Sequence, residues 1–451
     1  MSRPSCSRRE TATTTRKAHR MPGNPLNSFS HAWSALRHRN FRLFFCGQSI
    51  SILGTWMTRL ATGWLVYRLT HSALLLGVVG FSSQIPAFLL APFAGVWIEQ
   101  MDRRKLLVWT QAIAAIQSLA IAALTLAHRI NIAEIIALSA LQGLVNGFDI
   151  PGRQSFLVQM VDDRKDLTNA IAINSSMANG GRLIGPAIAG LVVAAFGEGW
   201  CFLIDGLSYL PVIASLVAMR LPPRPPAPAK TTMLHQMLVG WDYVRNFPPI
   251  RTLLSLFALV SLMGYPYATL LPIFAGQVLH GGPNTLGWLT AASGVGALTS
   301  GISLTLRRSP ANLTWMIAIA ASLFGVSLIL FGLSHWLWPS LLLMFFIGFG
   351  MLQAASACNT VVQTLVPEDK RARVMGYYTM AFVGSAPFGS LLAGSLAHWV
   401  GAPLTVIFTG ACVLAASLWF AFQLPRIHAI IHPMYREMGL LPATETPQTI
   451  H

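Results

Sequence analysis

Twelve runs of predominantly apolar residues, most of twenty or more, divide this sequence, and nothing else limits so severely what it can fold into. About twenty apolar residues wound as a helix reach across the hydrocarbon core of a bilayer. The runs fall at 41–67, 73–98, 106–126, 133–150, 167–196 and 201–219, then at 252–276, 286–306, 313–333, 337–365, 373–400 and 403–422. Only 10% of the 451 residues are charged, against about 25% in a soluble domain. With 54% apolar residues and a mean hydropathy of +0.56, the chain cannot clothe a water-facing surface. The expected fold is all-α and polytopic. Cys6, Cys46, Cys201, Cys358 and Cys412 stand apart, with no C-x-x-C pair and no histidine at metal spacing, so no metal site, disulfide framework or cofactor is expected.

The net charge of +16 would fit a nucleic-acid partner if it formed a patch. It does not. Of the 31 basic residues, Arg68 and Arg129 alone fall in loops at one end of the runs. Arg59 and Arg182 lie inside runs. The rest, including Arg103, Arg104, Lys105, Arg153, Arg164, Lys165, Arg307, Arg308, Lys370 and Arg371, gather at the other end. Basic loops face the cytoplasm. The expectation is a bacterial inner-membrane protein with both termini cytoplasmic, no nucleic-acid partner and the lipid bilayer as surroundings.

The chain divides into a basic tail (1–40), six runs (41–220), a proline-rich linker with an amphipathic stretch from Met233 (221–251), six more runs (252–424) and a second tail (425–451). The halves repeat. Gly185, Ala189, Gly190 and Gly197 recur as Gly389, Ala393, Gly394 and Gly401, and Arg103-Arg104 as Arg307-Arg308. Two similar six-helix halves in one orientation are a transporter plan.

The segment from Gly95 through Glu99, Arg103 and Arg104 resembles the loop motif of the major facilitator superfamily, with Gln100 and Asp102 departing from its basic residue and glycine. Gly181, Gly185, Pro186 and Gly190 resemble a helix-five motif that the family associates with exporters, with Ala189 in place of a glycine. Asn40 to Met57, and Pro151 to Pro186, are similar to the branch of transmembrane secretion effectors, which contains the enterobactin exporter and macrolide efflux proteins. The resemblance implies that Glu99 braces a cytoplasmic gate and that helices one, four, seven and ten line a central cavity. It also implies that a small organic molecule moves outward, driven by protons.

Polar residues at helical spacing fall on those four runs: Gln48 and Thr55 on the first, Asn146 and Asp149 on the fourth, Tyr265 on the seventh, Gln353 and Thr360 on the tenth. They are the candidate cavity. Any one of them could instead bond a neighbouring helix. Arg59, Asp149, Arg182 and Asp205 are charged within or near the ends of the runs, where charge is expensive. They are the candidate proton-coupling groups, with Arg59 and Asp205 expected to meet, as a movable or a static ion pair. The expected function is a monomeric secondary exporter. The alternatives are an importer on the same fold or a membrane scaffold or sensor. No enzyme motif is present.

Overall fold

The computed structural model describes residues 34–161, 165–220, 241–305 and 312–437. Helix is the regular structure of these residues, joined by short turns, with no strand among them. Counting helices that follow one another in line as one rod gives twelve antiparallel rods. In the first half they are α1 (Arg39–Thr70), α2 (Ala73–Ser82, resumed as Ile85–Gln100), α3 (Arg103–Leu126), α4 (Ile132–Leu157), α5 (Leu167–Phe196) and α6 (Glu198–Ala218). In the second they are α7 (Pro248–Val278), α8 (Pro283–Thr305), α9 (Leu313–Leu333), α10 (Leu337–Leu365), α11 (Arg373–Val400) and α12 (Ala402–Glu437). Ten of these are long and apolar enough to cross a membrane. The other two are α1, which carries several arginines, and α8, which is rich in Gly, Ser and Thr.

The six-helix repeat is visible in how the rods pack. In the first half α6 lies on α1 and α3, and α4 on α2 and α3; in the second, α12 lies on α7 and α9, and α10 on α8 and α9. Gly197 (φ 90°) and Gly401 (φ 87°) end α5 and α11 in the same left-handed conformation, which only glycine adopts freely. The halves meet along two seams, α5 on α8 and α2 on α11. At the first, a methyl group added to Gly190 would lie 3.1 Å from the Cα of Gly287. At the second, one added to Gly77 would lie 2.9 Å from the Cα of Gly394. Both contacts sit toward the end away from the basic loops. Nearer the basic end, Phe88 on α2 covers Gly384 on α11, and there is no comparable seam among the described residues.

Several boundaries differ from expectation. The stretch 34–40 is not tail. Ser34–Arg37 forms a 3-10 turn with Ala35 fully buried, because Ser34 and His38 bond Asp166 and the Ala35 amide donates to Asn169. α2 breaks at Ser83–Gln84, two residues before Pro86, whose ring disfavours helix in the residue before it and supplies no N–H. α4 runs through Pro151 to Leu157, and α12 through Pro425 and Pro433 to Glu437. In α7 and α11, π-helical turns at Val260–Gly264, Phe274–Val278 and Met380–Gly384 widen the winding beside Pro266, Pro272 and Pro387. Most of the expected linker, 221–240, lies outside the described residues; 241–246 are helical.

Candidate transport site

Asp149 is 3% exposed and faces α3, inside the first half, not the space between the halves. Gln111 Nε2 (2.7 Å) and Thr110 Oγ1 (3.1 Å) donate to its Oδ1, and Arg153, one turn along α4, reaches its Oδ2 at 2.5 Å. Gln48 is buried beside this cluster, in a crevice shared with Gln111 and Arg153. The Oε1 atoms of Gln48 and Gln111 have no partner. The expected cavity stripe of α1 and α4 is therefore split. Asn146 accepts a bond from Gln142 (3.2 Å) and stays half-buried, whereas Gln48 and Asp149 belong to a polar core. Thr55 is half-buried and donates back to Ser51 O (3.0 Å).

Asp205 on α6 is 2% exposed. Thr58 of α1 and Ser118 of α3 both donate to its Oδ2 at 2.9 Å, and its Oδ1 has no partner. Gly54 makes room for it: a methyl group there would lie 2.7 Å from Oδ1. Arg59 does not meet Asp205, contrary to expectation. Successive helical residues point about 100° apart, so Thr58 turns to α6 while Arg59 turns away. The Arg59 guanidinium lies 4.7 Å from the centre of the Trp56 ring, and that of Arg182, on α5, lies 6.0 Å from the same ring. A cation over an indole gains about 0.5–2 kcal/mol. Holding a guanidinium at mid-membrane costs about 2.5–3.5 kcal/mol on insertion scales.

Trp56 is the residue that pattern-reading missed. It seats against the exporter-like motif: a methyl added to Gly185 would lie 2.6 Å from Trp56 Cβ, and one on Gly181 would press on Ile52 and Trp56. One turn further on, the Pro186 carbonyl and Gly190 close on α8. One small-residue stripe thus packs α5 on α1 within the half and on α8 across the halves.

In the second half, Gln353 is 3% exposed and turns inward as Asp149 does. Its Oε1 accepts from Ser300 (2.6 Å) and Ser303 (3.1 Å) of α8, and its Nε2 approaches Met316 Sδ (2.9 Å) of α9. Thr360 is exposed and donates back to Ser356 O (2.9 Å). Tyr265 is half-buried, edge-on to Phe382.

At the basic end, Asp102 caps α3, accepting from the amides of Arg104 (3.0 Å) and Lys105 (3.2 Å). Arg103 donates to Ser155 O (3.2 Å) at the end of α4, and Arg104 to Val217 O at the end of α6. Cations there meet the negative ends of two helix dipoles. Gly95 and Glu99 fall in the last turns of α2, and the Glu99 side chain lies outside the described residues.

A family model for transmembrane secretion effectors matches residues 30–438, which span the whole of the described chain. The protein is a major facilitator superfamily transporter of this branch. It is 26% identical to the staphyloferrin A transporter of Staphylococcus aureus over 84% of its own length and 95% of the relative's. It is 25% identical to the multidrug efflux pump Tap of Mycolicibacterium fortuitum over 84% and 93%, and to the enterobactin exporter EntS of Shigella boydii over 80% and 85%. Among solved structures, a bacterial homologue of the lysosomal transporter Spinster, inward-facing and unoccupied, superposes with a TM-score of 0.69 at 14% identity, covering 85% of this chain and 96% of that one. The transporter moves small molecules across a membrane and is not an enzyme.

Proposed function

We propose that this transporter exports a small organic molecule across the bacterial inner membrane by alternating access, as a monomer exchanging substrate for protons. The observation that carries the reading is the placement of the two glycine seams. The halves close on each other toward the end away from the basic loops and not at the basic end. With the basic loops and both termini in the cytoplasm, this is a state open to the cell interior, where an exporter loads and an importer unloads, so it supports alternating access and leaves the direction to the relatives. The named efflux pump and exporter among its relatives support the direction.

Proton exchange would rest on the first half. Asp149 and Asp205 are buried deeper in its spans than Glu198, which pairs with Arg68 at the start of α6, and each is bonded to other helices of the same half, so a change of protonation there needs movement within that half. Comparing retained and secreted metabolites of a deletion strain with its parent tests direction and substrate. A compound trapped in the mutant supports export; a compound the mutant fails to take up refutes it. Proton coupling is tested in inside-out vesicles with Asp149→Asn and Asp205→Asn. Undiminished proton-driven flux in both removes them as coupling sites.

A further inference from the structure

Arg59 and Arg182 share one indole, and neither has an ion-pair or hydrogen-bond partner among the described residues. The buried acids are engaged elsewhere: Asp149 with Arg153, Glu198 with Arg68, and Asp205 with Ser118 of α3 and with Thr58 on another face of α1. The opposite half supplies nothing. No Asp or Glu occurs from Tyr243 to Pro367 or from Lys370 except Glu437 and Glu445, and these lie at or beyond the end of α12.

The two arginines face the space between the halves. Trp56, Arg59, Gly63 and Tyr67 follow one another along one side of α1. Gly63 faces Pro272, and Tyr67 packs on Gly276, both on α7 of the second half. Arg59 continues that stripe below the contact, and there it is exposed. Gly294 of α8 packs on the Arg182 and Leu183 backbone, which puts Arg182 at the α5–α8 seam.

Two guanidinium groups beside one indole repel each other, and the indole brings no negative charge to neutralise either of them. Guanidinium is a planar fork that matches carboxylate, sulfonate or phosphate oxygens. We propose that Trp56, Arg59 and Arg182 form the binding site for an anionic substrate: a small organic anion whose acidic group lies between the arginines and whose apolar or aromatic body rests near the indole. The assignment names the substrate class of the transport reading and rests on it for the claim that the ligand is carried.

The test uses the purified full chain in phosphatidylcholine nanodiscs with 2-naphthoate, its neutral methyl ester and the cation 2-naphthylmethylamine. The expected order is naphthoate tightest, by about tenfold or more over the ester. Arg59→Gln and Arg182→Gln should each remove most of that preference, while Arg59→Lys and Arg182→Lys, which keep the charge, retain part of it. Melting temperature and monodispersity identify any variant that has failed to fold. Equal binding of acid and ester, tighter binding of the amine, or a preference untouched in both Gln variants overturns the site. Phosphatidylglycerol bound through these arginines with no binding of naphthoate overturns the soluble-anion assignment in favour of a lipid headgroup. Flux in proteoliposomes separates the two readings. Arginine-dependent naphthoate binding without flux upholds the site and refutes transport. Ester flux unaffected by either Gln variant, without acid preference, refutes the site and leaves transport standing.

Discussion

The polar cores of the two halves occupy nearly matching places and are built from different chemistry. Asp149 on α4 and Gln353 on α10 stand 204 residues apart, the spacing that separates Gly197 from Gly401. Each turns into its own half and bonds an adjacent helix. The first half uses a carboxylate, an arginine and two unpartnered amide oxygens; the second satisfies a neutral amide with two serines and a thioether. The same scaffold has thus been given charge on one side only. A buried ion pair adds little net stability for its desolvation cost. Its presence in one half and absence from the other is a departure from the repeat that packing alone does not require.

The largest effect should come from breaking that charge. Asp149→Ala leaves Arg153 unpaired and should cost roughly 3–5 kcal/mol, read from denaturant unfolding of the detergent-solubilised protein. Gln353→Ala should cost about 1–3 kcal/mol, because only neutral partners are stranded. Equal losses would erase the distinction between the halves. Next come Gly185→Ala and Gly389→Ala, one repeat apart. Each should cost about 1–3 kcal/mol by overpacking. Gly389 should cost more, since its added methyl comes within 2.4 Å of the Leu262 carbonyl, whereas that of Gly185 comes within 2.6 Å of Trp56 Cβ, and neither atom moves without its helix. The reverse order would show that α1 is held more firmly than α7.

Smaller effects sharpen the picture around Asp205. Thr58→Ala and Ser118→Ala each remove one hydroxyl donor and should each cost about 1 kcal/mol, with Ser118 losing less because it also lies 3.1 Å from Phe202 O. The smallest concerns the clasp of the amino-terminal turn. The Ser34 hydroxyl and then His38 hold the Asp166 carboxyl below its ordinary value of 3.8. A depressed carboxylate value means the contact is fully present above that ordinary value and fades as pH falls through the lower folded one. Protection of the amides at 34–38, taken relative to the intrinsic exchange rate at each pH, should therefore hold at neutral pH and fall only in strong acid. Loss of protection near pH 6 would put the switch on His38 instead.

Helix number and approximate place were legible because hydropathy measures what lipid tolerates, and lipid tolerates little else. The break at Ser83–Gln84 and the continuation through Pro151, Pro425 and Pro433 were not, since those depend on where freed backbone groups find partners. Periodicity puts Gln48, Asp149 and Gln353 on polar stripes of their helices and assigns those stripes to the central cavity, whereas the three side chains are buried inside their own halves. It could not say which neighbour each stripe meets. Arg59 and Asp205 were matched by depth alone, while a one-residue change in helical angle gave the carboxylate to Thr58. Trp56 carried a readable signal, an aromatic three residues before an arginine within an apolar run, but its meaning needed Arg182 from a distant helix.

The glycine contacts between the halves press main chain against main chain, with few interlocking groups. A wall made this way keeps water out by fit alone. Among the described residues, parting it breaks no ion pair, so the cost is close to the wetting of two smooth surfaces. Opening of that side should then be insensitive to salt in itself, and whatever times the cycle must act from elsewhere in the molecule.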